Sequence, residues 1–373
     1  MFQYRIYPTR KQLHKLDETL DECRWLYNHL WEMRKHAYAQ TGKGLSCYEQ
    51  QSTDPILTQE RPTLERAHSQ VLQNVAVRID LAFKAFFRRC KAGENPGYPR
   101  CRGRDRYDSF TFPQSGFSIT HDDRVTLSKM GSVKMVYHRP LKGKVKTCTV
   151  QRSSTGKWYV SFSCECEPER LADVPSQVGM DVGLKTFATL SSGEAIANPR
   201  FVRKEERALA KVQRKHRKLA KGTLERRKHR KVVARVHERI KFRRDNFTHQ
   251  ESRHIVNQFG VRAVEDLHVN RMTHNHCLAK SIQDASWSEF FNKLSCKAEE
   301  AGRQFVKGVP AYTSQDCSRC HHRQKMPLSE RMYHCPCCLL SRDRDLNAAL
   351  NIKAVGLHSV GLPLEAHGFS RGE

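Results

Sequence analysis

A chain of 373 residues with 66 Lys and Arg against 39 Asp and Glu carries a net charge of +27. It is long enough for two or three domains with real cores, and so basic that self-repulsion opposes compaction unless a polyanion shares the surface. A small disulfide-stapled peptide is excluded and nucleic acid is the default partner. No run of about 18 apolar residues and no signal peptide appears, so no membrane role is expected and the chain reads as cytoplasmic. Of the 14 cysteines, Cys23, Cys90, Cys148 and Cys296 stand singly, as reduced Cys does when it serves as a small hydrophobe. The last five cluster, which reads as metal rather than a disulfide frame.

In chain order, "YRIYPT" (residues 4 to 9) predicts a strand ended by Pro8. From Lys11 onward Leu13, Leu16, Leu20, Cys23, Tyr27 and Leu30 share one helical face, and Gly42 and Gly44 stop that helix. A second helix is expected from about Thr63 to Cys90, where "AFKAFFRR" sets aromatic rings beside cations; core packing and base stacking are both open to them. "KAGENPGYPRCRGRDR" (residues 91 to 106) has linker composition and marks a domain boundary. Beyond it the period becomes two. In "KWYVSFSCEC", Trp158, Val160, Phe162, Cys164 and Cys166 alternate, and with "VKMVYHRP" and "KVKTCTVQR" they predict an antiparallel barrel-like sheet that the first strand can join. Residues 203 to 244 hold 19 Lys or Arg against four Glu. Two apolar stripes, Leu209, Val212 and Leu219, then Val232, Val233, Val236 and Ile240, flank a break at Gly222, which predicts a helical hairpin whose charged face tracks phosphates. Arg203, Lys211, Arg214, Lys218, Arg227 and Lys231 are its candidate contacts.

Three acids invite a chemical explanation. Asp181 ends the apolar run of "QVGMDVGLKTFATLSSGEAI", and Glu265 ends the short strand of "GVRAVEDLHV". Each alone could be a plain loop carboxylate, but a carboxylate at a buried strand end is costly without a partner. Asp345 opens the helix of "SRDRDLNAALNI", where Asp343, Asp345 and Asn347 could also be mere caps, and where Ala348 and Ala349 allow close approach to a sheet. Brought together, the three make a hard-oxygen site for Mg²⁺ that can hold two ions about 4 Å apart across a phosphodiester. Cys317 and Cys320, then Cys335 and Cys338 after 14 intervening residues, form paired C-x2-C motifs that fit one structural Zn²⁺. Cys337 is an extra thiol that could replace Cys338, though a C-x-C pair fits less well, and His321 and His322 are close enough to compete as ligands but are expected to face solvent.

The order "GMDVGLKTFATLSSG", basic hairpin, "VEDLHV", "SIQDASWSEF", "TSQDCSRC", "CPCC" and "DRDLNAALNI" closely resembles the TnpB family of insertion sequences, relatives of type V CRISPR effectors. "RIYPT", "RWLYNHLW", "SQVLQNVAVRIDLAFKAFFRR" and "GYPRCRGRDRYDSFTF" carry the resemblance through the front half. It implies an α+β multidomain protein: a RuvC-like, RNase H-type α/β nuclease domain with an inserted Zn ribbon, and a wedge β-barrel with an inserted helical recognition lobe. The expected layout is barrel strand 1–10, recognition lobe 11–105, remaining barrel 106–175, and nuclease 176–310 with its basic helical hairpin at 203–259. The ribbon (311–341), the nuclease end and the C-terminal tail (342–373) follow. The resemblance further implies an endonuclease guided by a transposon-derived noncoding RNA, one chain per RNA, cutting double-stranded DNA beside a transposon-associated motif. It assigns catalysis to Asp181, Glu265 and Asp345, and leaves Asp343 as a cap. A non-cleaving RNA-guided repressor or transposition accessory protein is the alternative; a cut-and-paste transposase fits less well. His321 and Leu339 stand where the family commonly has Gly, so strain is expected in the ribbon.

Overall fold

The computed structural model describes residues 1–120, 123–168, 170–308, 311–327 and 329–363. They fall into two compact units, Met1–Glu167 and Pro168–Glu373; the end of the expected tail, 364–373, lies outside the described residues.

In the first unit the strands are β1 (Phe2–Tyr7), β2 (Ser109–Phe112), β3 (Phe117–Thr120), β4 (Arg124–Leu127), β5 (Gly131–Met135), β6 (Lys144–Arg152) and β7 (Trp158–Glu165). They pair antiparallel in the order β2-β6-β7-β1-β5-β4-β3, so the N-terminal strand is central. A flat sheet would hold its edges β2 and β3 six strand spacings apart, roughly 29 Å. Residues 113 to 116 join those edges, and such a link spans at most about 19 Å. The sheet is therefore curled, and Phe112 of one edge meets Phe117 of the other at 6.4 Å between ring centroids. Trp158, Val160 and Phe162 fill its interior as the alternation predicts, but Cys166 lies beyond the strand end and is exposed.

Between β1 and β2 come α1 (Arg10–Thr41), α2 (Cys47–Gln51), α3 (Asp54–Glu60) and α4 (Ser69–Lys91). Thr9 caps α1 in a box with Gln12, satisfying two free N–H groups reciprocally. The second long helix begins at Ser69 rather than near Thr63, because Ala67 is extended and a short 3-10 turn over Pro62–Arg66 buries Leu64 first. Residues 91 to 106 do not separate two compact units. Asn28 exchanges hydrogen bonds with the Arg102 backbone (3.0 and 2.6 Å), and Trp31 Nε1 donates to Pro99 O (2.8 Å), which ties this loop onto α1.

The second unit contains β8 (Gln177–Val182), β9 (Thr186–Leu190), β10 (Ala195–Ala197), α5 (Phe201–Lys218), α6 (Leu224–Gln258), β11 (Val261–Glu265), α7 (Val269–Met272), α8 (His276–Ala285), α9 (Trp287–Glu300), β12 (Gln304–Gly308), β13 (Met332–His334), β14 (Ser341–Asp343) and α10 (Arg344–Ser359). Residues 170–175, expected to belong to the end of the barrel, pack here: Leu171 donates to Ala301 O (3.1 Å) and Arg303 Nη2 to Ala172 O (3.1 Å). The sheet order is β10-β9-β8-β11-β12, with β8, β11 and β12 parallel and the other pairs antiparallel. Period two decides what each face carries. Val178, Met180 and Val264 join the core made with Ile255 and Val256 of α6 and Phe290 and Leu294 of α9. Gly179 and Ala263 point the other way, against α10: a Cβ on Gly179 would lie 2.1 Å from Ala349 O, and one on Gly356 would lie 2.4 Å from Ala263 Cβ. Only glycine at 179 and 356 admits α10 so close to the sheet.

Candidate functional site

The same alternation sets the acids. Asp181 and Glu265 lie two residues beyond Gly179 and Ala263, so both carboxylates face the α10 side. Val264 is paired with Met180 in the parallel ladder, which leaves Asp181 and Glu265 side by side on adjacent strands, about 4.8 Å apart along the sheet. Asp345 opens α10, one turn before the Ala349 backbone that presses on Gly179. The electrostatics register the grouping: burial, then the charges of Glu265 and Asp345, push the Asp181 carboxyl up to about 8, opposed by Arg344. Burial also raises Glu265, against the hydrogen bond it accepts from Thr313 Oγ1 at 2.5 Å. Asp345 is held by Arg344 Nη2 (3.2 Å) and, more loosely, Arg331 Nη1 (3.9 Å). Asp343 is the cap: its Oδ1 accepts from Asp345 N (2.9 Å) and Leu346 N (3.1 Å).

Hard oxygens with an accumulated negative charge fit a divalent cation such as Mg²⁺. The carboxylates are less tightly drawn together than the thiols. Among the described residues, only Cys317, Cys320, Cys335 and Cys338 bring all their ligand atoms within 4.8 Å of one another. Four thiolates at 2.3 Å from a tetrahedral Zn²⁺ stand about 3.8 Å apart, and here Cys317 Sγ is 3.6 Å from Cys338 Sγ and Cys320 Sγ 3.5 Å from Cys335 Sγ. The donor set fits zinc. Both pairs make the same turn: His321 N donates to Cys317 O and Leu339 N to Cys335 O, each at 3.0 Å. Cys337 is exposed and outside the cluster. His321 and His322 are exposed too. His321 at φ 59 and Leu339 at φ 58 both adopt the left-handed conformation that glycine would take without strain.

What the sequence reading missed is the clamp between ribbon and acids. Asn347 accepts from Ser318 N (2.9 Å) and donates to Asp316 O (2.8 Å); Asn351 donates to Thr313 O (2.8 Å) and Asp316 O (2.7 Å). One helical face thus grips the segment that carries both Thr313 and Cys317. The signal was available, since Asn at i and i+4 inside a helix is unfavourable unless its amide is engaged. Arg203, Lys211, Arg214, Lys218, Arg227 and Lys231 are all exposed on α5 and α6, and none makes an ion pair among the described residues. The pair is held together beneath them by buried Glu205, which accepts from Arg243 (2.9 Å) and Arg239 (3.4 Å).

Family models match over three segments: a helix-turn-helix domain at residues 1–43, "Probable transposase" at 161–276, and a Cas12f1-like TNB domain at 287–352. A Streptomyces pristinaespiralis protein named "Putative RNA-guided DNA endonuclease" is 36% identical over 95% of this chain and 89% of its own length. InsQ of Escherichia coli K12, which bears the same description, is 28% identical over 96% and 92%. The solved structure of a Cas12f1–sgRNA–target DNA complex is similar in fold, with a TM-score of 0.57 over 91% of this chain and 82% of that one at 16% identity. No helix among the described residues is long and apolar enough to cross a membrane. Identity at this level over nearly the full length of both chains means that the chain belongs to the TnpB family.

Proposed function

We propose that this protein is an RNA-guided DNA endonuclease of an insertion sequence, which pairs a transposon-derived guide RNA with double-stranded DNA beside a short motif and hydrolyses the phosphodiester bonds. The observation that carries the reading is the convergence of Asp181, Glu265 and Asp345 on the α10 side of one sheet, where burial first and then the charges of Glu265 and Asp345 raise Asp181 to about 8. In this reading the first unit is the wedge barrel with its recognition lobe, the second the RuvC-like nuclease with its zinc ribbon. Asp181, Glu265 and Asp345 would hold two Mg²⁺, which when bound supply Lewis-acid charge to the attacking water and the leaving oxygen.

The chain's own groups do the positioning. Thr313 fixes one oxygen of Glu265, leaving the other for a ligand. Arg344, and more loosely Arg331, offset the charge of Asp345 and hold its carboxylate in place. Asp181, raised to about 8 by burial and the neighbouring acids, holds a proton near neutral pH that it would have to give up to act as a cation ligand. One Zn²⁺ on the four thiols would stiffen the ribbon, and Asn347 and Asn351 pass that stiffness to α10 and hence to Asp345. Cations on α5 and α6 would meet phosphates, while base pairing reads sequence. All three acids are present, which favours cutting over the non-cleaving alternative.

The test is to express the chain with its flanking transposon DNA, sequence the copurified RNA, and offer matching plasmids with Mg²⁺. Wild type cuts; Asp181→Ala binds the guide but does not cut. Mg²⁺-dependent cleavage by that variant would overturn the site assignment, and absence of RNA would overturn the guided reading.

A further inference from the structure

The aromatic run at the end of α4 is only partly explained by packing. Phe83 is buried in the first unit's core, whereas Phe87, Tyr98 and Tyr38 are 53%, 44% and 62% exposed. With Phe83 and Phe86 they line a cavity of about 480 Å³ that also presents Arg34, Asp80 and Lys84. The rings meet obliquely or edge to face, Phe86 with Phe87 at 5.3 Å, Phe86 with Tyr98 at 5.4 Å and Phe83 with Tyr98 at 5.6 Å. Its walls are tied in place. Arg34 lies over Phe83 (4.9 Å), donating through Nε to Leu45 O (2.6 Å) and through Nη2 to Asp80 Oδ1 (3.1 Å). Lys84 Nζ holds Asp80 Oδ2 at 2.8 Å. The loop bearing Tyr98 is fastened to α1 through Pro99 and Arg102. Arg34 Nη1 is buried without a hydrogen-bond partner.

Rings that reach water beside a fixed cavity need a cover, and charge selects among the covers. Arg88, Arg89 and Lys91 form the last turn of α4 directly beyond the aromatic run. A second copy of a +27 chain would be repelled there, while a strand that offers a flat ring and carries phosphates is attracted. We propose that this cavity takes one unpaired nucleobase of a bound strand, stacked on Phe87 and Tyr98, with Lys84 at the base edge and adjoining phosphates on Arg88, Arg89 and Lys91. The inference rests on the proposed nucleic-acid function and adds to it a contact with base rather than backbone.

The test uses the full chain and four 20-mers: oligo-uridine, oligo-thymidine, and RNA and DNA backbones with abasic sites. Wild type is expected to bind the base-bearing strands about tenfold or more tightly than the abasic ones. Phe87→Ala with Tyr98→Ala should lose that margin while abasic affinity stays unchanged, and Tyr98→Phe should keep it. Photocrosslinking of 5-iodouracil strands should map to Tyr38, Phe87 or Tyr98, and the RNA and DNA arms identify the strand. A double variant that folds, judged by its circular dichroism, yet keeps the full margin would overturn the proposal. So would crosslinks confined to other residues, or sedimentation showing a wild-type dimer that the variant abolishes without changing base preference. If wild type binds no strand at all, the nucleic-acid reading falls as well; retained abasic binding with no base preference sinks the cavity alone.

Discussion

Replacing Gly179 by Ala adds a single methyl group, and the structure says where it goes. Its carbon would lie 2.1 Å from Ala349 O, 2.4 Å from Lys353 N and 2.7 Å from Lys353 Cβ. The first two neighbours are helix backbone, which cannot swing aside, so α10 must lift by about 1 Å to restore ordinary contact. Overpacking of this kind costs about 1–3 kcal/mol, or roughly 2–12 °C in Tm for a unit of this size. Asp345 rides on the displaced helix, and a 1 Å misplacement of a reacting group costs on the order of 100-fold in rate. Guide-loaded protein would be compared in single-turnover plasmid cleavage and in thermal unfolding, with Gly44→Ala, where an added Cβ meets nothing within 4 Å, as the control. The expected pattern is a large loss of cutting, a modest fall in Tm and unchanged guide affinity. Cutting within two- or threefold of wild type at an unchanged Tm would refute the close-approach reasoning.

Asn351→Ala removes an amide from Thr313 O and Asp316 O; it should lower stability by about 1–3 kcal/mol and slow cutting, and an unaltered denaturation midpoint would count against the clamp. Leu339→Gly relieves a left-handed residue that is 85% exposed and so loses little packing. After the extra chain entropy of glycine, a gain of about 0.5–1 kcal/mol remains, expected as zinc held two- to fivefold more tightly against a competing chelator; faster zinc loss would contradict it. Because Asp181 is raised to about 8, its protonated form dominates near neutral pH and must lose a proton to bind a cation. Mn²⁺ or Mg²⁺ affinity should therefore climb from pH 6 to about 8 and then level. Titration calorimetry in buffers of different ionisation enthalpy should show proton release, and Asp181→Asn should remove it.

Much of this protein was legible in one dimension because the relevant periods are local. The three-and-four spacing of Leu16, Leu20, Cys23 and Tyr27 predicted α1, and the alternation of Trp158, Val160 and Phe162 predicted β7. Residue chemistry at fixed spacing singled out the four thiols of the ribbon. The misreadings share one cause. Residues 91–106 have the composition of a linker, yet Asn28 and Trp31, distant in sequence, bind them into the first unit. Likewise residues 170–175 carry no mark of the Ala301 carbonyl and the Arg303 side chain that fasten them to the second.

The sequence by itself determined which groups were available: three hard carboxylates, four thiols, and cations far in excess of acids. Only the tertiary structure decided what they could do together. Strand register put Asp181 beside Glu265, two glycines let α10 bring Asp345 to the same face, and Asn347 and Asn351 locked the ribbon to that helix. Those relations depend on contacts between residues far apart in the chain, which local propensity and spacing do not encode.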